Sequence, residues 1–500
     1  MMVVVALATG ACAGSAAGAQ RTMTGTLTIA NLQPFSGADA DFGNTMYAGC
    51  YAAVLLINRA GGALGHPLNC AKVDTQSVAE SRALARQMLA TTPNLVAVLG
   101  PGSNEAPSTV PLINRARVPM FTDAGQAAFD RSSYSYLWRM TPSDDASGYA
   151  MAIWAHKQGY RRGAAVFGID ASSQANVPTL LKGFRQLGGN IVVNESLEMG
   201  KPSYAAEVDA VVQANPDVIF TEVDGKTAAS FFSELLKRHA PIPIIGTNVT
   251  LEPGWLDAVS QSIGPAIFAS SFVAVQPYAA PQGRAWEIFN DALLTSSPEV
   301  PDPGQWSDNP YVMSDFDAVT IAALAMTAAG TVDPAVFNPY IKRVTSGGVN
   351  AVVVHSYAEG LTALQTGHAI QYVGPSGPMA FDQWQSGRRL LARQLRSGRP
   401  DNADRFHRGE RSERPQPVVR ALFRWRTQKN DRAGDRHSPD RSHRDHQGAD
   451  RVAGRVRAPV ERHEDHDRAS QQKDEAKDQT RPFQRFHPGP IIGTRPALAG

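Results

Sequence analysis

The loop Gly102-Ser103-Asn104 has the residue types that most directly suggest ligand chemistry. It follows an apolar run and leads into a predicted helix in which Pro107 suits the first turn. Free backbone N–H groups and a serine hydroxyl at a helix start favour an anionic group such as an α-carboxylate. Ser and Asn are also common helix caps, so a purely structural role for this loop stays open.

Motifs for catalysis are lacking in this sequence. There is no GxSxG elbow, no GxxxxGK[ST] phosphate loop and no HExxH, and the first predicted strand is not followed by GxGxxG. No nucleophile and base stand in a recognisable pattern. The sequence therefore predicts a binding protein without catalytic residues, metal or cofactor.

The elements around this loop predict an α/β lobe. An apolar strand at 27–32 precedes a polar loop at 33–43, and apolar residues then recur at helical spacing until Gly61 and Gly62. A strand toward Asp74, a helix over about 79–90 and the apolar run LVAVLG follow. In an open parallel sheet, small ligands bind at the loops that follow the carboxyl ends of the strands.

The same alternation of strands and helices restarts after Thr141, which predicts a second parallel sheet. The predicted fold class is therefore α/β, with two Rossmann-like lobes. We expect residues 26–142 and 270–348 to form lobe one, and residues 143–269 and 349–384 to form lobe two.

The order of several segments resembles the type I periplasmic binding proteins. These segments are LTIANLQPFSG, INRAGGALGHPL, VLGPGSN, INRARVPMFTDAG, WRMTPSD, AAVFGIDASS, NPDVIF, SYAEG and IQYVGPSGPMAFD. The resemblance is strongest to the branched-chain amino acid-binding subfamily of ABC transporter solute receptors. It implies two lobes joined by a three-segment hinge, a small amino-acid-like or amide ligand between them, and an ABC permease as partner.

The resemblance also assigns binding residues in lobe one. The loops carrying Ser103 and Asn104, and Asp123 and Gln126, match loops that hold the ligand carboxylate in relatives. Phe42 stands where relatives often carry an aromatic residue against the ligand. An aromatic ring there offers apolar contact or a face for a cation. A role for Phe42 in stapling the following helix is the equally weighted alternative.

Lobe two departs from the amino-acid-binding pattern. Gln174 stands in the place of a common tyrosine, and Asn248 replaces an acidic residue that often meets the ligand amine. Glu222 and Asp224 in the neighbouring loop are the candidates to supply that negative charge, because an ammonium in a closed cleft needs a paired charge. The alternative functions are a ligand-sensing receptor of the same fold and, less favoured, an enzyme on a related α/β fold.

The N-terminus predicts export. Residues 1–19 combine an apolar start with a small-residue cleavage pattern, although the first residues carry no positive charge. Cys12 lies in a lipoprotein-like context and is a candidate for lipidation. No later apolar run of about 18 residues is evident, so we expect contact with the membrane only through an N-terminal anchor. The expected location is the periplasm or the outer face of the cytoplasmic membrane.

The two other cysteines, Cys50 and Cys70, fall on elements that pack together in the fold that the resemblance implies. A disulfide between them is permitted in an oxidising compartment. Two buried free thiols are the alternative.

Charge divides the chain in two. Of 48 Lys and Arg residues, 27 lie from Gln385 onward, together with 16 of the 46 acidic residues. The first 384 residues therefore carry a formal charge of −9 and the last 116 carry +11. The 385–500 tail has few aliphatic residues and is predicted to be disordered, or an out-of-frame translation. A genuine basic tail that touches nucleic acid or anionic lipid is the alternative; no nucleic acid is expected for the acidic body.

Overall fold

A computed structural model of the chain describes residues 23–37, 39–277, 281–383 and 385–388. The predicted export segment 1–19, its Cys12 and residues 389–500 of the predicted tail lie outside the described residues.

The first sheet contains five parallel strands in the order β2-β1-β3-β4-β5. Its strands are β1 Leu27–Gln33, β2 Leu68–Asp74, β3 Leu95–Leu99, β4 Met120–Thr122 and β5 Leu137–Arg139. Three helices connect them: α1 Ala40–Arg59, α2 Val78–Thr91 and α3 Ala106–Arg115. β1 and β3 are buried along their whole length, as expected for strands covered on both faces.

The second sheet is also parallel and has the order β10-β9-β8-β6-β7. Its strands are β6 Arg162–Gly168, β7 Asn190–Leu197, β8 Val218–Glu222, β9 Ile244–Gly246 and β10 Phe272–Ala274. Its helices are α4 Asp144–Lys157, α5 Ala171–Ala175, α6 Val177–Gln186, α7 Ala205–Ala214, α8 Gly225–Arg238, α9 Pro253–Ile263 and α10 Pro265–Ser271.

The rest of the described chain packs against the first sheet. It contributes four helices, α11 Arg284–Leu294, α12 Pro310–Ala329, α13 Pro334–Ser346 and α14 Tyr357–Gln365. It also contributes five short strands, β11 Val352–Val354, β12 Ile370–Gly374, β13 Gly377–Pro378, β14 Ala380–Phe381 and β15 Gly387–Arg388. These elements and the first sheet with α1–α3 form the first lobe; the second sheet with α4–α10 forms the second lobe.

The structure differs from the sequence analysis in the assignment of the chain to lobes. Tyr357, Ile370 and Tyr372, from the segment assigned to lobe two, share one hydrophobic core with Leu27 of the first sheet. β10 belongs to the second sheet, although residues from 270 onward were assigned to lobe one. Within the described residues the chain passes between the lobes after β5 and again after β10.

Helix α12 is long and apolar enough to span a membrane, with a mean hydropathy of 1.4 over its most apolar window. This helix contradicts the expectation that no apolar run of about 18 residues follows the N-terminus. About 83% of that window is buried inside the protein, where α12 packs against α1 and α13. Its apolar surface is thus explained by its position in the core of the first lobe.

Cys50 in α1 and Cys70 in β2 are joined by a disulfide, with a Cα–Cα distance of 6.2 Å. Both residues are buried in the first-lobe core. The bond fixes the middle of α1 to the edge strand of the first sheet.

Candidate functional site

A cavity of about 350 Å³ lies between the two lobes. Its walls come from the loops after β1, β3 and β4 in the first lobe and after β6, β8 and β9 in the second. The carboxyl ends of both parallel sheets therefore open onto it, as expected for a ligand site in open α/β sheets.

Five helices begin at this cavity, and each has an acidic residue at its N-cap, the position just before the first helical residue. These residues are Asp39 of α1, Glu105 of α3, Asp170 of α5, Asp224 of α8 and Glu252 of α9. All five line the cavity, together with Asp41, Asp123 and Glu222. Within the described part of the chain, Lys226 is the only basic residue that lines it, so the cavity is strongly acidic.

Two of these carboxylates are held by the helices that they cap. Asp170 accepts hydrogen bonds from the backbone N–H of Ser173 at 3.0 Å and from its hydroxyl at 2.7 Å. One oxygen of Asp224 accepts from the N–H groups of Lys226 and Thr227 at 3.1 and 3.0 Å. The other Asp224 oxygen has no hydrogen-bond partner among the described residues. A negative charge at a helix N-terminus is favoured by the helix dipole.

Asp39 and Glu105 lie in the first lobe, and carboxylates of the second lobe contribute to raising their pKa values. Burial, followed by the charges of Asp170 and Asp224, raises the pKa of Asp39 to about 6. Burial, followed by the charges of Asp39 and Asp170, raises the pKa of Glu105 to about 7, although its own backbone N–H donates to its carboxyl. The two lobes thus face each other with like charges across the cavity.

Glu222 is already satisfied by its own lobe. It accepts hydrogen bonds from the Ser172 hydroxyl at 3.0 Å, the Asn176 amide at 3.0 Å and the Thr247 hydroxyl at 2.5 Å. Burial nevertheless raises the pKa of Glu222 to about 7. Its three donors make Glu222 less available to a ligand than Asp39.

Direct hydrogen bonds join the two lobes at the cavity. The Asn104 side-chain oxygen accepts from the backbone N–H of Ser172 at 3.0 Å. Glu252 of the second lobe accepts from the Thr45 hydroxyl at 2.7 Å and from the Asn309 amide at 3.3 Å. Burial raises the pKa of Glu252 to about 7. These bonds connect the two lobes directly, at residues of which Asn104, Ser172 and Glu252 line the cavity.

Asp123 lies beside a second, fully buried carboxyl. Burial and the charge of Asp123 raise the pKa of Asp315 well above its usual range, and the two side chains share a hydrogen bond. One of the two carboxyls therefore holds a proton. This acidic pair stands where the resemblance implied a contact with a ligand carboxylate.

Six of the nine predicted ligand residues line the cavity: Phe42, Ser103, Asn104, Asp123, Glu222 and Asp224. The other three side chains bond to neighbouring protein groups. Gln126 donates to the Ser103 carbonyl, Gln174 to the Gly168 carbonyl at 2.6 Å, and Asn248 to the Tyr311 hydroxyl.

Three acidic residues of the cavity, Asp39, Glu105 and Glu252, were not predicted from the sequence. A signal for them exists, because each acidic residue directly precedes a helix start, in the segments ADADFG, SNEAP and LEPGW. Among the described residues, no three His, Cys, Asp or Glu side chains are grouped so that they could hold a metal ion.

A profile of the periplasmic binding protein family matches residues 26–388. The chain belongs to this family. The two α/β lobes with a cavity between them are the architecture of a solute-binding protein, as the sequence resemblance implied. A search of curated proteins by sequence finds no significant match.

Solved structures of similar fold come from several bacteria. A leucine-binding protein from Thermotoga maritima is 16% identical, with a TM-score of 0.57 over 73% of this chain and 93% of its own. A solute-binding protein of an ABC transporter from R. palustris, in complex with benzoate, is 17% identical, with a TM-score of 0.58 over 73% and 91%. A branched-chain amino acid transporter substrate-binding protein from Streptococcus pneumoniae, in complex with isoleucine, is 18% identical, with a TM-score of 0.57 over 72% and 93%.

Proposed function

We propose that this periplasmic binding protein is the solute receptor of an ABC importer and captures a small organic cation between its lobes, without chemistry on the ligand. The observation that carries the proposal is the acidic cavity, in which eight carboxyl groups face one lysine. A cation entering a closed cleft must be paired with negative charge, because an unpaired buried charge is costly.

The rest of the lining supports an organic cation. Apolar side chains from both lobes line the cavity between the acidic groups, including Phe42, Met46, Met199, Val249 and Trp255. A volume of about 350 Å³ lies at the lower end of the range for small-molecule sites. This combination suits an amine that carries a short hydrocarbon group.

The export signal, the permease partner and the extracytoplasmic location belong to the same proposal. They are supported by the family, which is named for the periplasm, and by the solved relatives that are components of ABC transporters. The relatives bind leucine, isoleucine or benzoate, so the fold accepts ligands of different charge.

The test compares ligands of equal shape and different charge. The full chain is titrated calorimetrically at pH 8 with 3-methylbutylamine, its neutral analogue 3-methylbutanamide and the anion 3-methylbutanoate. We expect heat of binding from the amine alone, and a rise in melting temperature by mass action. Tighter binding of the acid or the amide than of the amine would refute the cationic ligand.

A further inference from the structure

A carboxyl group of the protein lies in the cavity beside the start of α3, where a ligand carboxylate was expected from the sequence. Glu105 is only 4% exposed, lines the cavity and accepts a hydrogen bond from its own backbone N–H. Its Oε2 atom lies 3.0 Å from the position that a Cβ atom on Gly102 would take. The first N–H groups of α3 are bonded to backbone carbonyls, Ala106 to Gly102 and Ser108 to Glu105, so the Glu105 carboxyl does not cap the helix but adds negative charge to the cavity beside this loop.

In the second lobe, by contrast, carboxylates do cap the helix starts at the cavity. Asp170 and Asp224 accept the first N–H groups of α5 and α8. A ligand carboxylate would thus find the helix dipoles already balanced and would meet like charges on both sides of the cavity.

Two groups remain available for a ligand. Gln33 is 2% exposed and lines the cavity, and its terminal nitrogen has no hydrogen-bond partner among the described residues. Asp39 makes no side-chain hydrogen bond to α1 within the described part of the chain. The Asp39 carboxylate accepts several N–H bonds and suits an ammonium, whereas the Gln33 nitrogen donates and suits a neutral acceptor atom elsewhere on the ligand.

We propose that the ligand is an amine without a carboxylate, and that Glu105 is the specificity-determining residue that excludes α-amino acids. This inference rests on the proposed capture of an organic cation and narrows its substrate class. Asp39 holds the ammonium group in the first lobe, and Asp170 and Asp224 face it from the second. The hydrocarbon part lies against Phe42 and Trp255.

The test uses amino acids and the amines obtained from them by removing the carboxylate. Leucine is compared with 3-methylbutylamine, and lysine with 1,5-diaminopentane, by calorimetry on the full chain at pH 8. We expect at least one amine to bind roughly 100-fold more tightly than its amino acid, because like charges face the carboxylate. The Glu105→Gln variant should lower this ratio by about 10-fold, chiefly by improved binding of the amino acid.

Two controls make the result decisive. Glu287→Gln, at an exposed position of α11 outside the cavity, should leave the ratio unchanged. Glu105→Ser removes the charge and retains a favoured helix cap, so it replaces the Gln variant if that variant does not fold.

The outcomes separate the two proposals. Amines and amino acids that bind equally well to the unaltered protein would overturn the exclusion of carboxylates and leave the cationic ligand standing. An unchanged ratio in folded Glu105 variants would overturn the role of Glu105. Failure of every amine to bind would overturn this inference together with the proposed function.

Discussion

The side-chain oxygen of Asn104 accepts a hydrogen bond from the backbone N–H of Ser172, 3.0 Å away, and this bond connects the two lobes at the cavity. Asn104 therefore stabilises the approach of the lobes. We expect Asn104→Ala to weaken the binding of every ligand by a similar amount. The expected loss in binding free energy is about 1 kcal/mol, as for one neutral hydrogen bond. Calorimetry with an amine and its amino acid measures this. A loss confined to one of the two would instead identify Asn104 as a direct ligand contact.

The hydroxyl of Thr45 donates to the buried Glu252 carboxyl across the lobes at 2.7 Å. Thr45→Val keeps the shape of the side chain and removes this donor. We expect a loss of about 1–3 kcal/mol in the free energy of unfolding, because a buried acceptor loses a partner. Urea denaturation measures it, and Thr45→Ser should restore most of the loss. Equal stability of the Val and Ser variants would contradict the role of the hydroxyl.

Three glutamates with raised pKa values make the ligand-free protein less stable at higher pH. Glu105, Glu222 and Glu252 have pKa values of about 7, against an ordinary value of 4.5. Between these values the folded state holds protons that the unfolded state has released. The contribution of these bound protons to the free energy of unfolding is therefore fully present below pH 4.5 and is lost as the pH rises through 7.

The expected decrease in the free energy of unfolding between pH 5 and pH 8 is of the order of a few kcal/mol in total. Urea denaturation at the two pH values measures it. Glu222→Gln should flatten the decrease and raise stability at pH 8, because the Ser172 hydroxyl can turn to accept from the amide nitrogen while the amide oxygen keeps the Asn176 and Thr247 donors. A Gln variant that is less stable than the unaltered protein at pH 8 would show that the ionised Glu222 is favourable.

The affinity for an amine should change with pH in the opposite direction. Burial and the facing carboxylates raise the pKa of Asp39 to about 6, so this residue gains its charge between pH 5 and pH 7. We expect binding of 3-methylbutylamine to strengthen by about 10-fold from pH 5 to pH 8, the gain of one partly buried charge pair. Asp39→Asn should bind weakly at both pH values. If the affinity of that variant changes with pH as in the unaltered protein, another carboxyl pairs with the ammonium.

Much of the fold could be predicted because each element carries its own local signal. The apolar run at 27–32 corresponds to β1 at Leu27–Gln33, and the helix expected over 79–90 corresponds to α2 at Val78–Thr91. Gly61 and Gly62 follow the end of α1 with φ angles of 95° and 78°, a backbone region that favours glycine. These features depend on neighbours in sequence.

The assignment of residues 349–384 to lobe two was wrong, because it depended on contacts between distant parts of the chain. A short helix such as α14 has one apolar face, and nothing in its sequence states which of two similar sheets that face will cover. The contact between Tyr357 and the first-lobe core joins residues far apart in the chain. Such pairings depend on tertiary packing.

The location of the cavity could be predicted from the sequence, but its acidic lining was predicted only in part. Strand ends located the loops, which is why six of the nine predicted residues line the cavity. Reading the Gly102-Ser103-Asn104 loop as an open helix start overlooked Glu105, one residue further on. A carboxyl at that position can point to solvent or line the cavity, and only the three-dimensional structure distinguishes the two.

Placing the acidic residues at helix starts has an evolutionary consequence. Asp, Asn and Ser stabilise a helix N-terminus about equally well, so exchanging one for another changes the charge with little effect on folding. At Asp170 and Asp224 a single substitution of this kind would remove a negative charge from the cavity and leave the strands and helices in place. Receptors built in this way can adapt from cations toward neutral or anionic nutrients through a few independent mutations, each tolerated by the protein that carries it.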